Sequence, residues 1–119
     1  MDKISTSMRK IAEKIVADKK DLQTYIDIDN IEFVEREKDR KGMFAEIRKN
    51  NFPTTLYIQK DFTLSAFAAF ETLNDKKKEI VIYHELLHID PEDPSKLIKH
   101  DVEDFKKVLE EFGISWLDN

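Results

Sequence analysis

All three histidines of the 119-residue chain fall in its last third, and two of them frame His84-Glu85-Leu86-Leu87-His88 at the end of an apolar run. Residues four apart on a helix stack on one face. Two imidazoles at this spacing can therefore bind one metal ion while the glutamate between them reaches toward an adjacent water. From the histidine and glutamate frequencies of this chain, the pattern is expected by chance roughly 0.007 times in its length. Zinc (Zn²⁺) suits the donors, because a catalytic zinc takes three protein ligands and keeps a fourth position for water, whose pKa falls to about 7. A metal that only cross-links a fold has no use for Glu85, whereas hydrolysis needs a base beside that water. His100 is the remaining imidazole and the expected third ligand.

The rest of the composition narrows the class. Charged residues make up 38% and apolar residues 40%, a globular balance with a highly charged surface, and the length fits one domain spanning 1–119. The formal charge is -5, and the lysine runs Lys76-Lys77-Lys78 and Lys106-Lys107 are offset by neighbouring acids. No basic face suited to nucleic acid is expected. With no cysteine, disulfides and thiolate metal sites are excluded and the metal donors must be imidazole or carboxylate. No apolar segment approaches the roughly 20 residues that span a bilayer, and Met1-Asp2-Lys3-Ile4-Ser5 lacks the apolar core of a signal peptide. A cytoplasmic location is expected.

The elements that must position the motif follow from periodicity. Ile4, Met8, Ile11, Ala12 and Ile15 recur at helical spacing and predict an amphipathic first helix ending near Lys19-Lys20. Residues Ile31 to Glu37 and Met43 to Arg48, separated by the turn signal Asp39-Arg40-Lys41-Gly42, predict a hairpin. Thr54 to Gln59 predicts a third strand, giving a small antiparallel sheet of about three strands. Phe62 to Phe70 is ambiguous: Phe62 and Leu64 alternate, while Leu64, Phe67, Phe70 and Leu73 follow a three-residue step, and helix or irregular structure is favoured. Asn74 or Asp75 can cap the motif helix, which should stop before Pro91. On it Ile80, Val81 and Leu87 should accompany the histidines inward, with Tyr83 and Leu86 on other faces.

Asp93-Pro94-Ser95 reads as the start of a C-terminal helix and Gly113 as its stop. Its apolar stripe, Ile98, Val102, Phe105, Leu109 and Phe112, points away from His100 at about 100° per residue. Either the motif helix packs on the flank of this helix, or the helix starts later and His100 lies in its first turn. Otherwise Asp101 or Asp104, nearer the stripe, supplies a carboxylate ligand. The class expected is α+β.

The run Ile80-Val81-Ile82-Tyr83-His84-Glu85-Leu86-Leu87-His88-Ile89, followed by His100-Asp101-Val102-Glu103-Asp104-Phe105 and the ending Phe112-Gly113-Ile114-Ser115-Trp116, resembles the phage metallopeptidases. These are small zincin-like proteins of phages and prophages, and the likeness is strongest over the C-terminal ~45 residues. The resemblance implies a minimal zincin-like domain in a bacterial host, with zinc on His84 and His88 and the histidine of the H-D-V-E-D-F segment, His100, as third ligand.

The expected function is zinc-dependent peptide hydrolysis, with Glu85 taking the proton of the activated water and passing it to the leaving amine. Tyr57 or Tyr83 could donate to the oxyanion, Asp101 and Asp104 could orient ligand imidazoles, and Thr54 to Gln59 is the candidate sheet edge for a peptide or protein substrate. A second class is a non-catalytic phage or prophage interaction protein with a structural metal. A third, a small metal-dependent endoribonuclease using three histidines, is disfavoured by Glu85, where that motif has glycine, and by the acidic charge.

Overall fold

The computed structural model describes residues 2–40, 43–51, 53 and 55–98. Strand β1 (Lys3–Ile4) leads into helix α1 (Thr6–Asp18) and the single turn α2 (Lys20–Gln23), followed by β2 (Ile31–Glu35), β3 (Ala45–Lys49), the short α3 (Thr55–Ile58), β4 (Phe62–Ala66) and α4 (Asp75–Leu86). The class is α+β, as expected.

Ser5 fixes where α1 begins. Its Oγ accepts the Met8 N–H at 3.2 Å, satisfying one of the helix's opening donors, while its own N–H donates to the Phe33 carbonyl at 2.8 Å. The cap thus ties the helix to β2. Met8, Ala12 and Ile15 are buried at the expected spacing, but Ile4 lies before the cap in β1 and is 61% exposed.

The four strands run in the order β1-β2-β4-β3, so the expected β2–β3 hairpin does not form. Instead β4 lies between them, parallel to β2 (Phe33 opposite Leu64) and antiparallel to β3 (Ile47 opposite Leu64). The sheet is mixed. Nine residues, 36–44, separate β2 from β3, too many for a tight two-residue connection. The turn signal is spent locally, where Met43 N–H donates to the Arg40 carbonyl at 3.0 Å.

The central place goes to the strand with the most buried side chains. Phe62, Leu64, Ser65 and Ala66 are all buried in β4, which hydrogen-bonds on both sides. The three-residue step that argued for a helix there belongs to the next segment, a 3₁₀ turn over Ala68–Thr72 that buries Phe70. Conversely, the strand expected over Thr54 to Gln59 gives way, among the described residues, to α3 at Thr55–Ile58, and Gln59 takes a left-handed φ of 56°. Asn50 holds this excursion in place, donating through Nδ2 to the Lys60 carbonyl at 3.0 Å and accepting from Thr63 Oγ1 at 2.9 Å.

Helices α1 and α4 pack on each other and on the sheet, α1 against β2 and α4 against β3. Ile31, Phe33, Ile47, Phe62 and Leu64 meet Met8, Ile15, Ile80, Ile82 and Leu86 in one apolar core. Tyr83 and Leu86, expected on peripheral faces, are fully buried there, and Val81 is only partly so. The motif helix is clasped on most sides. No helix among the described residues is long and apolar enough to cross a membrane.

Candidate metal centre

Helix α4 delivers the motif. Asn74 Oδ1 accepts the Lys77 N–H at 2.9 Å and starts the helix as expected. The helix ends at Leu86, one residue after Glu85, and tightens through Leu86 O to Ile89 N and Glu85 O to His88 N, both 3.1 Å. His84 and Glu85 are therefore helical, and His88 sits in the turn just beyond.

That turn is held by the returning chain. Ile98 N–H donates to the His88 carbonyl at 2.7 Å, Asp90 N–H donates to the Lys96 carbonyl at 3.0 Å, and Ile89 bridges Leu97. The expected helix start at Asp93-Pro94-Ser95 is thereby overturned. Asp93 Oδ1 accepts from Ser95 Oγ at 2.7 Å and from Ser95 N–H at 3.2 Å, closing a local turn, and the residues after it pair with 88–90 rather than coil. The rest of the expected C-terminal helix, with His100, Asp101 and Asp104, lies outside the described residues.

Within the described part, His84, Glu85 and His88 each offer a ligand atom, and these atoms lie within 4.8 Å of one another. The imidazole centroids are 5.5 Å apart, with ring planes at 89°. His88 Nδ1 lies 2.7 Å from the Ile98 carbonyl, which can only accept; Nδ1 therefore donates, and in the neutral tautomer that makes this bond the lone pair is on Nε2. A carbonyl that fixes the tautomer in this way is how proteins prepare a histidine for a metal. His84 lies in the last turn of α4, where the negative end of the helix dipole also favours a cation. Two imidazoles with a carboxylate between them fit a zinc-type donor set.

Glu85 is 9% exposed and His88 8%. Burial pushes the Glu85 carboxyl from its ordinary 4.5 up to about 7; a hydrogen bond from Ile47 N–H to Oε1, 3.1 Å long, pulls the other way, and the nearby Glu46 charge adds to the rise. The bond comes from the sheet edge. Phe44 O accepts from Phe67 N–H and Asn50 N–H donates to Asp61 O, so alternate residues of β3 face β4 while Ala45, Ile47 and Lys49 direct their backbone groups outward. Beyond this edge a cavity of about 220 Å³ is lined by Met43, Glu46, Ile47, Glu85, His88, Leu97 and Ile98.

The tyrosines named from sequence are elsewhere. Tyr57 is 84% exposed on α3, Tyr83 is buried in the core under the Lys19 ammonium 5.7 Å from its ring centroid, and neither lines the cavity. What sequence reading missed are Ile47 and Ile98, which act through main-chain N–H and C=O groups that every residue type carries, together with Met43 and Leu97 in the cavity wall.

No curated protein and no solved structure matches this chain. One family model does, over residues 3–118, and its description is "Putative phage metallopeptidase". With nearly the whole sequence matched and a His-Glu-His cluster compatible with metal binding at the end of α4, the chain belongs to the phage metallopeptidase family.

Proposed function

We propose that this protein is a zinc-dependent peptidase in which His84, His88 and His100 hold the metal and Glu85 is the general base. The observation that carries the proposal is the placement of Glu85: a buried carboxyl with a pKa near 7, between two imidazoles and against a sheet edge. His100 follows Ile98 by two residues, about 7 Å of chain at most, and Ile98 is itself bonded to His88. That proximity keeps His100 within reach of the centre, and the likeness to the family favours it over Asp101 and Asp104 as the third ligand.

Bound zinc would supply Lewis acidity to a carbonyl oxygen and lower the pKa of water. The chain's own groups supply orientation and proton transfer. Ile47 N–H holds Glu85 Oε1, which leaves Oε2 to take a proton from the attacking water and return it to the leaving amine nitrogen. The substrate backbone would add to β3 through the outward groups of Ala45 and Lys49 and the Ile47 carbonyl, the Ile47 N–H being held by Glu85, in place of the edge expected at Thr54 to Gln59.

The test is metal stoichiometry. Purified protein should bind one zinc per chain, and X-ray absorption at the zinc edge should give histidine nitrogens at about 2.0 to 2.1 Å. His84→Ala, His88→Ala and His100→Ala should each weaken binding. Unchanged zinc affinity in His100→Ala would remove it as a ligand.

A further inference from the structure

The cavity beside the candidate centre is small and one-sided in character. At about 220 Å³ it is below the size that encloses a drug-sized ligand, and it suits a single side chain. Met43, Ile47, Leu97 and Ile98 give it apolar walls, Leu97 and Ile47 being continuous with the core, while Glu85 and His88 line it on the side of the metal centre. Its remaining lining residue is Glu46, an acid. The larger hollow on the opposite face of the sheet, about 600 Å³, differs in kind: it is lined by ion pairs such as Arg40–Glu46 at 2.7 Å, which offer no unbalanced charge to a ligand.

Resting on the peptidase reading, we propose that this cavity is a specificity pocket that takes one medium-sized apolar side chain, such as leucine or phenylalanine, from the residue flanking the scissile bond. The position follows from the lining. A side chain enclosed by Met43, Ile47, Leu97 and Ile98 has its backbone at the mouth, beside Glu85 and His88 on one hand and the outward groups of β3 on the other. The chemistry follows as well. Apolar walls reward burial of hydrocarbon and penalise an acidic side chain, which would lose its hydration against Met43, Ile47, Leu97 and Ile98 with no cation among the lining residues, while Glu46 is already paired with Arg40 and Arg48.

The inference is tested with a series of acylated amino-acid hydroxamates, which anchor on zinc and differ only in the flanking side chain, measured by calorimetry on the full zinc-loaded chain. Leucine and phenylalanine hydroxamates should bind roughly 10- to 100-fold more tightly than glycine and aspartate hydroxamates. In Met43→Glu the order should shift, with the lysine hydroxamate gaining on the leucine one. Equal affinity across the series overturns the pocket while leaving the metal centre standing; failure of every hydroxamate to bind overturns both. The wild-type series decides without the variant, and a folded Met43→Glu that keeps the full leucine preference removes Met43 from the pocket wall.

Discussion

The Ile47 main-chain N–H donates to the Glu85 carboxylate at 3.1 Å, so the acid of the motif helix is gripped by the edge strand of the sheet. The bond joins residues 38 positions apart and engages one carboxylate oxygen, Oε1. It also links the two structural units, α4 and β3, whose relative placement forms the cleft.

The first expected consequence is a pH dependence of the metal-free protein. The Glu85 carboxyl has a folded pKa of about 7 against an ordinary 4.5, so the stability gained by burying it neutral is complete below 4.5 and is lost as the pH rises through 7. The loss should be of order 3 kcal/mol between pH 5 and 8. In Glu85→Gln it should disappear. Thermal melts of both metal-free proteins across that range check it; identical pH profiles would show that Glu85 does not titrate with folding.

Metal and fold should be coupled through His88. Its ring bonds the Ile98 carbonyl and its backbone carbonyl accepts from Ile98 N–H, so zinc on Nε2 would stiffen the turn that closes the cleft. Zinc should raise the wild-type Tm, by an amount that grows with free zinc concentration. His88→Ala should lose most of that rise. A zinc-induced shift equal in the two proteins would place the metal elsewhere.

Leu86 tests the packing of the motif helix. It is fully buried between the motif residues and the core, and Leu86→Ala should cost about 2 to 5 kcal/mol in urea unfolding. A cost below about 1 kcal/mol would mean that the helix end does not pack as described.

Tyr57 offers the opposite expectation. Exposed on α3 and away from the cavity, it should be replaceable: Tyr57→Phe should leave stability within about 0.5 kcal/mol and peptide cleavage within about twofold. A larger fall in cleavage rate alone would restore it as an oxyanion donor.

The site was more legible in the sequence than the sheet that supports it. His84, Glu85 and His88 carry their chemistry in their side chains, and helical spacing, continued by the turn that Ile98 holds at His88, brings them together. Asn74 announced the helix start because its side chain performs the cap. Strand order left no such mark. Ile31–Glu35 and Ala45–Lys49 are adjacent in sequence and both half apolar, yet β4 separates them, because pairing is decided by which strand best fills the buried centre. Phe62 to Phe70 joins two periods, a strand and then a 3₁₀ turn, and a single window averages them. Asp93-Pro94-Ser95 shows the limit of local signals: the residues that cap a helix also close a turn, and the pairing of Ile98 with His88 selects the turn.

The central claim is that Glu85 is the base of a metal-dependent peptidase, and the most direct measurement compares wild type with Glu85→Gln on a diverse peptide pool, both zinc-loaded and read by mass spectrometry. Glu85→Gln should retain one zinc per chain while cleavage falls by about 10² to 10⁴-fold, and a chelator should abolish wild-type cleavage until zinc is returned. Cleavage by Glu85→Gln at the wild-type rate, or no cleavage of any peptide by fully metallated wild type, would contradict it.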